Sequence, residues 1–301
     1  MRLITPNVQW WPQISPWQQI ARVGRICYKS IPKEEPDANL STEGRFLFRE
    51  QRDKQLCARF WMSGHKSMFR HGTLYFFFPI ISYVNRIFLD DFSKSPYISI
   101  VVQGGQDGKA WVSANMQFAE EHSLQSKFES FIVSEETFIA KAKEFDCQKA
   151  FNILRMTLVV TTQISTSREL NRTSPNCIAE QSTRYCNLEK KGGVMIAQPC
   201  WMEEATWWQK FLYLSGCKIA DWLYSRLLKT GMKPQDARGI LPLDTYTVVA
   251  YTYTLKEWKH ILDLRYYERT GKAHPNAKLI GERIAYVINL RMKAIFPEFI
   301  I

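Results

Sequence analysis

The sequence predicts a mixed α/β (α+β) fold with an antiparallel sheet and long helices. Residues 157–164 (TLVVTTQI) are rich in β-branched side chains, which is typical of a strand. Residues 97–103 and 110–115 are also strand-like and flank the segment GGQDGK, whose paired glycines and Asp-Gly predict a hairpin. Residues 203–230 and 280–296 have apolar side chains at helical spacing and predict long helices. Helices and a hairpin in one chain place the protein in the mixed class.

Two helices and a buried strand are predicted in the first part of the chain. Residues 16–28 have apolar side chains at helical spacing, and residues 50–63 form a second predicted helix that runs into residues 64–71. The longest apolar stretch, Leu74–Val84, is interrupted by Pro79 and is much shorter than a bilayer span. We therefore predict a buried strand there.

The second half of the chain continues the alternation of strands and helices. After the strand at 157–164 comes a polar, arginine-bearing segment, and the helix predicted at 203–230 is amphipathic. Residues 233–243 predict a helix that is interrupted by Pro242, because proline cannot continue a helical hydrogen-bond ladder. Residues 244–267 begin with β-branched residues and end with a helical pattern, so a strand should pass directly into a helix.

Composition excludes several classes of protein. No apolar run reaches the roughly 18 residues of a membrane span, and the amino terminus lacks the charged and then apolar order of a secretory signal. We therefore expect a cytoplasmic protein with no membrane partner. The seven cysteines are scattered without a CxxC pair, which predicts free, mostly buried thiols rather than a disulfide framework or a zinc site. No metal is expected.

The formal net charge of +11 favours anionic partners such as nucleotides, phosphorylated cofactors or nucleic acid. The cations are spread along the chain, with no run that resembles an RNA-binding tail. Aromatic residues make up 14% of the chain, which leaves base stacking by a nucleic-acid binder open. Nucleic acid is the less favoured partner, and the charge alone does not identify the anion.

The segment Arg168–Tyr185 carries the most chemical information. Arginine and hydroxyl side chains alternate here at high density after a predicted strand. Arginine gives bidentate, charge-assisted hydrogen bonds to a dianionic phosphate, and serine adds neutral donors. The alternative is a solvated loop whose charges pair with one another. The residue types alone leave both interpretations open.

The same segment resembles the signature of the flavin-dependent thymidylate synthase family, which reads Arg-His-Arg, two residues, Ser, four residues, Ser, one residue, Arg. Arg172, Ser182 and Arg184 occupy three of these positions at the correct spacing. The histidine, the second arginine and the first serine are replaced, in that order, by Thr173, Ser174 and Cys177.

Further segments resemble the family in the same order along the chain. Residues 22–30 resemble an early helix, and residues 64–71 resemble a His-x-Ser-x-x-Glu-His motif in which Arg70 replaces the glutamate. Residues 235–247 resemble an Ala-Arg-x-x-Leu-Pro element, and residues 253–265 resemble a segment that ends in Leu-Arg. In that last segment the family's Asn-x-Arg has become Thr254-Leu255-Lys256.

The resemblance covers about residues 16–84 and 157–290. The stretch between them, about 85–150, is interpreted as an insertion of strands and helices within a single domain that extends over residues 1–301. No linker in the sequence clearly separates domains.

The resemblance implies a homotetramer that binds FAD and dUMP where subunits meet. It also implies that methylenetetrahydrofolate supplies a one-carbon unit to C5 of dUMP and that NADPH reduces the flavin, giving dTMP. Arg265 matches the residue that draws charge onto the uracil, and it is the predicted catalytic residue. The positions that match nucleotide contacts are Glu169, Arg172, Glu180, Gln181, Ser182, Thr183, Arg184, Arg238 and Arg265. The positions that match flavin contacts are His65, Ser67, Arg172, Thr173, Ser174, Glu180, Thr254, Lys256 and His260.

Two further hypotheses remain beside thymidylate synthesis. The altered residues Ser174 and Thr254 motivate an enzyme with the same cofactor that makes another 5-substituted pyrimidine nucleotide, for example a hydroxymethylated one. They also motivate a non-catalytic nucleotide-binding relative that has lost its flavin. Cys177 has two interpretations as well. It is either a thiolate nucleophile or, as is commoner, a buried cysteine in a space of serine size.

Overall fold

The computed structural model describes residues 1–32, 35–79, 86–105, 108–174, 176–190, 193–297 and 299–301. The predicted mixed fold with antiparallel sheets and helices is confirmed. Residues 80–84 of the predicted strand Leu74–Val84 lie outside the described residues, as do two residues of the predicted GGQDGK turn. In the part of the chain that is described, no helix is both long and apolar enough to cross a membrane.

The strands are β1 (Arg2–Ile4), β2 (Asn7–Trp11), β3 (Thr73–Phe78), β4 (Ile98–Gln103), β5 (Lys109–Asn115), β6 (Ile132–Val133), β7 (Arg155–Gln163), β8 (Ile178–Glu180), β9 (Met195–Ala197) and β10 (Tyr246–Thr254). The helices are α1 (Pro16–Tyr28), α2 (Thr42–Met62), α3 (Arg86–Ser93), α4 (Met116–Glu121), α5 (Leu124–Lys127), α6 (Glu135–Glu144), α7 (Gln148–Phe151), α8 (Ile164–Asn171), α9 (Trp207–Lys229), α10 (Pro234–Ala237), α11 (Leu255–Arg265) and α12 (Pro275–Ile295). Short 3-10 helices occupy Lys66–His71, Glu129–Phe131, Cys200–Met202 and Arg238–Ile240.

The main sheet has the strand order β2-β7-β10-β8 and is antiparallel throughout. Strands β7 and β10 pair along their whole length, with Tyr246 opposite Gln163 and Thr254 opposite Arg155. Each strand passes directly into a helix, β7 into α8 and β10 into α11. Because the strands are antiparallel, these helices start at opposite ends of the pair. Both helices contact α12, and Arg265 at the end of α11 reaches Glu169 of α8.

The second sheet has the order β4-β5-β3-β6 and is built largely from the segment interpreted as an insertion. Its predicted hairpin is present, since β4 and β5 pair antiparallel from Ile98 opposite Ala114 to Gln103 opposite Lys109. Side chains alternate along β3, with Phe76 in a core cluster shared with α1 and α2 and Tyr75 in the cluster that contains the main sheet. The segment is thus part of the hydrophobic core. Its status as an insertion stays a prediction.

Several helix boundaries differ from the sequence prediction. Helix α2 begins at Thr42 rather than near residue 50, because Ser41 caps it by accepting the Gly44 N–H at 3.0 Å. Helix α9 begins at Trp207 behind a capping box formed by Thr206 and Gln209. The predicted interruption of the helix near Pro242 is confirmed, since α10 ends at Ala237 and the following 3-10 helix ends at Ile240. The first turn of α2, residues 42–45, is polar, so the apolar spacing in the sequence does not show where this helix begins.

Helices α1 and α2 approach each other closely at Gly24. A Cβ atom added there would lie 2.4 Å from Cε2 of the buried Phe60 ring. We expect Gly24→Ala to lower the free energy of unfolding by about 1–3 kcal/mol, as overpacking does in cores. Chemical denaturation measures this. Gly216→Ala is the matched control, because Gly216 lies within α9 with no atom near its Cβ position, and alanine there should stabilise by about 0.5–1 kcal/mol. Equal stability of both variants would contradict the close approach.

Candidate functional site

An open cavity at one end of the main sheet collects most of the predicted nucleotide-binding residues. We call it the arginine cavity. Its volume is about 570 Å³, and its lining comprises Ile164, Arg168, Glu180, Gln181, Ser182, Thr183, Arg184, Arg238, Gly239, Leu241, Pro242 and Leu243. Three of these residues are arginines and one is a carboxylate, so the cavity is net positive. It lies where β7 ends and where the short strand β8 passes into the loop that carries Arg184.

Backbone hydrogen bonds hold this loop in place. The Gln181 N–H donates to the Val248 carbonyl at 2.9 Å, and the Ser182 N–H donates to the Cys27 carbonyl at the end of α1, also at 2.9 Å. The Ser182 Oγ then accepts the N–H groups of Arg184 and Tyr185 at 3.2 and 3.3 Å. These contacts fix the loop backbone, while the guanidinium of Arg184 stays exposed.

The Glu180 carboxylate is tied down beside the cavity. Its Oε1 accepts hydrogen bonds from the hydroxyl groups of Ser167 at 2.8 Å and Thr247 at 2.9 Å. Arg238 reaches the cavity from the 3-10 helix, and its Nη1 donates to Thr183 Oγ1 at 2.7 Å. Arg238 therefore meets neutral oxygens in its hydrogen bonds, and the Arg184 guanidinium lies over the Tyr185 ring at 5.3 Å, so both charges are available to a dianion.

Arg265 lies outside the arginine cavity. Its Nη2 donates to the Glu169 carbonyl at 3.0 Å, and its Nη1 is 3.3 Å from the Glu169 carboxylate. Within the described residues its Nε is buried without a hydrogen-bond partner. An unsatisfied buried donor costs about 1–3 kcal/mol, and this Nε has too little exposed surface to meet an acceptor from outside the chain in this conformation.

Three predicted flavin-side residues are bonded within the protein. The Ser174 hydroxyl donates to Glu257 Oε1 at 3.2 Å. Thr254 caps α11 and forms a capping box with the same Glu257, whose Oε2 accepts the Thr254 N–H at 2.8 Å. Thr173 Oγ1 donates to the Leu170 carbonyl at 2.6 Å. In this conformation none of these hydroxyl protons is directed towards a ligand, and their role in flavin binding stays a prediction.

The remaining flavin-side residues are exposed. Lys256 and His260 lie one turn apart on the outer face of α11, and Arg172 lies at the end of α8. Cations on such a surface fit the diphosphate of FAD, which needs charge-assisted donors. His65 and Ser67 are exposed on another part of the chain, where His65 Nδ1 is 3.3 Å from the Tyr28 hydroxyl.

Cys177 is a core residue. It is 3% exposed, and burial raises the pKa of its thiol to about 11, so the thiolate is scarce at neutral pH. Nearby, His71 is fully buried with its Nδ1 2.8 Å from Thr252 Oγ1. Burial and then the guanidinium of Arg155 lower the pKa of His71 to about 3, which keeps the imidazole neutral. The space-filling interpretation of Cys177 is the one that this environment favours.

We expect Cys177→Ser to fold and to keep its turnover within a few-fold of the wild type. Serine is close to cysteine in size, and its hydroxyl can replace the weak S–H donor. Turnover with dUMP, together with mass spectrometry after incubation with a 5-fluoropyrimidine nucleotide, checks this. Loss of both turnover and a covalent adduct in the variant would identify Cys177 as a nucleophile.

Two residues of the site were missed in the sequence. Arg168 lines the arginine cavity from α8, and Glu257 joins Ser174 to Thr254. Arg168 lies four residues before Arg172, one helical turn away, and this spacing was a usable signal once a helix was assigned there. Glu257 is the N3 residue of a Thr-x-x-Glu capping box, which is also readable from sequence.

The fold and the arginine cavity define an α+β protein with a net positive, nucleotide-sized site beside an antiparallel sheet. The family model described as "Thymidylate synthase complementing protein" matches residues 101–291, which is more than half of the chain. The chain therefore belongs to this family, the flavin-dependent thymidylate synthase family that the motifs indicated. The match includes residues 101–150, within the predicted insertion, and leaves out the early segments at 22–30 and 64–71.

The individual proteins that resemble this chain match shorter parts of it or share low sequence identity with it. A "Probable flavin-dependent thymidylate synthase" of Paramecium bursaria Chlorella virus 1 is 33% identical over 75 residues, which cover 24% of this chain and 33% of that protein. The chain thus matches about a third of the length of this relative.

Among solved structures, a UMP/dUMP methylase PolB from Streptomyces cacaoi bound with 5-Br UMP is 21% identical, with a TM-score of 0.40 over 50% of this chain and 75% of that one. The same methylase bound with 5-Br dUMP is 19% identical, with a TM-score of 0.40 over 60% and 88% of the two chains.

Proposed function

We propose that this protein is a flavin-dependent enzyme that transfers a one-carbon unit from methylenetetrahydrofolate to C5 of dUMP, with NADPH as reductant, to give dTMP. The observation that carries the proposal is the arginine cavity. Six residues that match nucleotide contacts of the family come together there with Arg168, namely Glu180, Gln181, Ser182, Thr183, Arg184 and Arg238. All seven cysteines are free thiols, which suits the reducing cytoplasm.

In this proposal different parts of the chain hold different parts of the nucleotide. Arg184 and Arg238 meet the phosphate, since arginines give paired, charge-assisted hydrogen bonds to a dianion. Arg265 meets the pyrimidine ring through its Nη atoms, each of which carries a second N–H beside the one near Glu169. Arg265 does not line the arginine cavity of its own chain. A complete site therefore combines the cavity of one chain with the Arg265 of another.

The residues proposed for FAD are Arg172, Lys256 and His260 for its phosphates, with His65 and Ser67 from a second surface. When bound, the flavin supplies the reducing equivalents and helps to pass the carbon unit to the ring. The chain itself binds the nucleotide, orients its ring and stabilises the charge that develops on the uracil.

The experiment that tests the proposal combines absorbance with product analysis. The purified protein should show a flavin band near one equivalent per chain, and dUMP with methylenetetrahydrofolate and NADPH should yield dTMP. A hydroxymethylated or other 5-substituted product would favour the second hypothesis, which the bonding of Ser174 and Thr254 to Glu257 motivates. Nucleotide binding without any flavin after reconstitution with FAD would favour a non-catalytic relative.

We expect the protein to be a homotetramer with a mass near four times 35.3 kDa by light scattering. Helix α9 exposes an apolar stripe that includes Phe211, Ile219 and Trp222, which are 48%, 58% and 56% exposed in a single chain. Such a stripe is typical of a surface that another chain covers. Ile219→Lys should reduce the mass, whereas Leu290→Lys, which alters a residue 64% exposed on α12, is the control. A stable monomer that binds both FAD and dUMP would contradict the shared site.

A further inference from the structure

Arg70 joins three segments of the chain that are far apart in sequence. It lies near the end of the 3-10 helix that precedes β3, its Nη1 donates to the Asn176 carbonyl at 3.1 Å, and its Nε donates to Gln117 Oε1 of α4 at 2.8 Å. We propose that Arg70 is a positioning residue, which acts through Asn176 to hold the loop of Thr173 and Ser174 in the conformation that binds the flavin. The inference rests on the proposed function for the identity of the cofactor as FAD.

The loop around Asn176 is attached to β10 on both sides. Before it, the Tyr253 hydroxyl donates to the Ser174 carbonyl, and after it the Thr252 N–H donates to the Cys177 carbonyl at 3.3 Å. Asn176 is half-buried between these attachments, and its carbonyl accepts the hydrogen bond from Arg70. A guanidinium gives a charge-assisted hydrogen bond, which is stronger than one from a neutral donor. The contact therefore fixes the loop between its two attachments to the sheet.

The second sheet and α4 supply the frame that orients Arg70. The guanidinium carbon lies 4.6 Å from the centre of the Tyr97 ring, a cation–π contact. Gln117 is itself fixed, because its Nε2 donates to Glu121 Oε1 at 3.0 Å, which leaves its Oε1 as the acceptor for Arg70. Tyr97 and Gln117 both belong to the segment predicted as an insertion. This segment therefore determines the direction in which the Arg70 side chain points.

The backbone of Arg70 is held separately from its side chain. Its carbonyl accepts a hydrogen bond from Arg155 Nη2 at 2.8 Å, and Arg155 is only 9% exposed. The neighbouring His71 is fully buried, with its Nδ1 2.8 Å from Thr252 Oγ1. A substitution of the Arg70 side chain leaves these contacts in place, so we expect the variants to fold.

Arginine suits this position because both of its partners are acceptors, the Asn176 carbonyl oxygen and Gln117 Oε1. An ionised glutamate, the residue that the family motif has here, offers no donor and would face the Asn176 carbonyl without a proton. Lysine keeps the charge but lacks the planar fork that reaches two acceptors at once. Restoring the residue of the family motif should therefore disturb the loop more than an uncharged side chain does.

The test measures affinity for FAD and, separately, amide hydrogen exchange of the flavin-free protein in the peptide that contains Thr173 and Asn176. We expect Arg70→Met to weaken FAD binding about 5- to 50-fold and to speed exchange in this peptide by a similar factor. Arg70→Lys should recover part of both, and Arg70→Glu should be worse than Arg70→Met. Affinity of the flavin-free protein for dUMP should change little, because the loop of the arginine cavity has its own hydrogen bonds.

Lys94→Met is the matched control, because Lys94 is a cation of the same predicted insertion, 78% exposed and paired with Asp91 at 3.0 Å. Gln117→Met tests the frame. It should have a smaller effect than Arg70→Met in the same direction, and the double variant should be little worse than Arg70→Met, since both changes remove one shared contact. Additive effects of the two changes would contradict the coupling through Gln117.

If the wild-type protein binds FAD, equal affinity of Arg70→Met and the control for FAD would overturn the inference. So would tighter FAD binding by Arg70→Glu than by Arg70→Met, or equal weakening of FAD and dUMP, which a merely structural role would produce. If the wild-type protein binds no FAD, faster exchange in Arg70→Met would support the positioning role and contradict the proposed function. Unchanged exchange would then overturn the inference as well.

Discussion

Arg265→Ala should lower turnover of dUMP by about 10²–10³ and leave flavin binding intact, comparable to removing one preorganised electrostatic donor. Bond formation at C5 of uracil needs electron density on that carbon. A cation against the N3 and oxygen edge of the ring supplies it by stabilising the N3-ionised form. Arginine suits this task because it stays charged and offers planar, paired donors. Single-turnover conversion of dUMP measures the effect.

The role of Arg265 also predicts base selectivity. Cytosine presents an amino donor at position 4, which would face the donors of Arg265 unfavourably, so we expect dUMP to be preferred over dCMP. Arg265→Lys should recover only part of the turnover, because the fork geometry is lost. Arg269→Ala is the control, since Arg269 is a nearby exposed arginine paired with Asp263 at 3.1 Å. Near-normal turnover in Arg265→Ala, or a wild-type preference for dCMP, would remove Arg265 from this role.

Arg184→Ala or Arg238→Ala should weaken dUMP binding by about 1.5–3 kcal/mol, the range for hydrogen bonds to charged groups. Both arginines line the arginine cavity, and both are exposed, so neither change should disturb the core. Calorimetry with dUMP and with deoxyuridine separates the phosphate contribution, because the nucleoside lacks the dianion. The wild-type affinity for dUMP should also fall with added salt, as expected for a partly exposed ion pair.

Lys233→Ala provides the control for net charge. Lys233 is exposed just before α10 and does not line the arginine cavity, so its loss should change affinity for dUMP far less. If both arginine variants kept the wild-type affinity, the phosphate would have to bind elsewhere on the chain. If they lost affinity equally for dUMP and deoxyuridine, the arginines would act on the nucleoside part instead.

The periodicity of apolar and β-branched residues was sufficient to predict several of the helices and strands that form the core. The strand at 157–164 and the strand-to-helix transition in 244–267 were predicted because β-branched residues and helical spacing each leave a local pattern. The pairing of β7 with β10 brings together segments that are far apart in sequence, and no local pattern specifies it. The sequence also does not predict that the apolar stripe of α9 is exposed in a single chain. A helix that packs on a second chain has the same periodicity as one that packs on its own core.

The predicted nucleotide-binding residues line one cavity where they share a loop, and their role in binding stays a prediction. Gln181, Ser182, Thr183 and Arg184 are consecutive, and a single hydrogen-bonded turn brings them to one cavity. The flavin-side residues come from separate segments, and their common location depends on packing between helices and between chains. Ser174 and Thr254 illustrate the limit, because motif matching assigned them to a cofactor while their hydroxyl groups bond to Glu257.

Because Arg265 is bonded to Glu169, its side chain loses conformational entropy before a nucleotide binds. Fixing a long arginine side chain in one rotamer costs about 1.5–2 kcal/mol of conformational entropy. Here both Nη atoms of Arg265 are within bonding distance of a residue of its own chain. The cost is therefore incurred when each subunit folds, and a nucleotide that arrives later meets a guanidinium already held in one orientation. Binding energy of the nucleotide then goes into contacts rather than into immobilising the arginine.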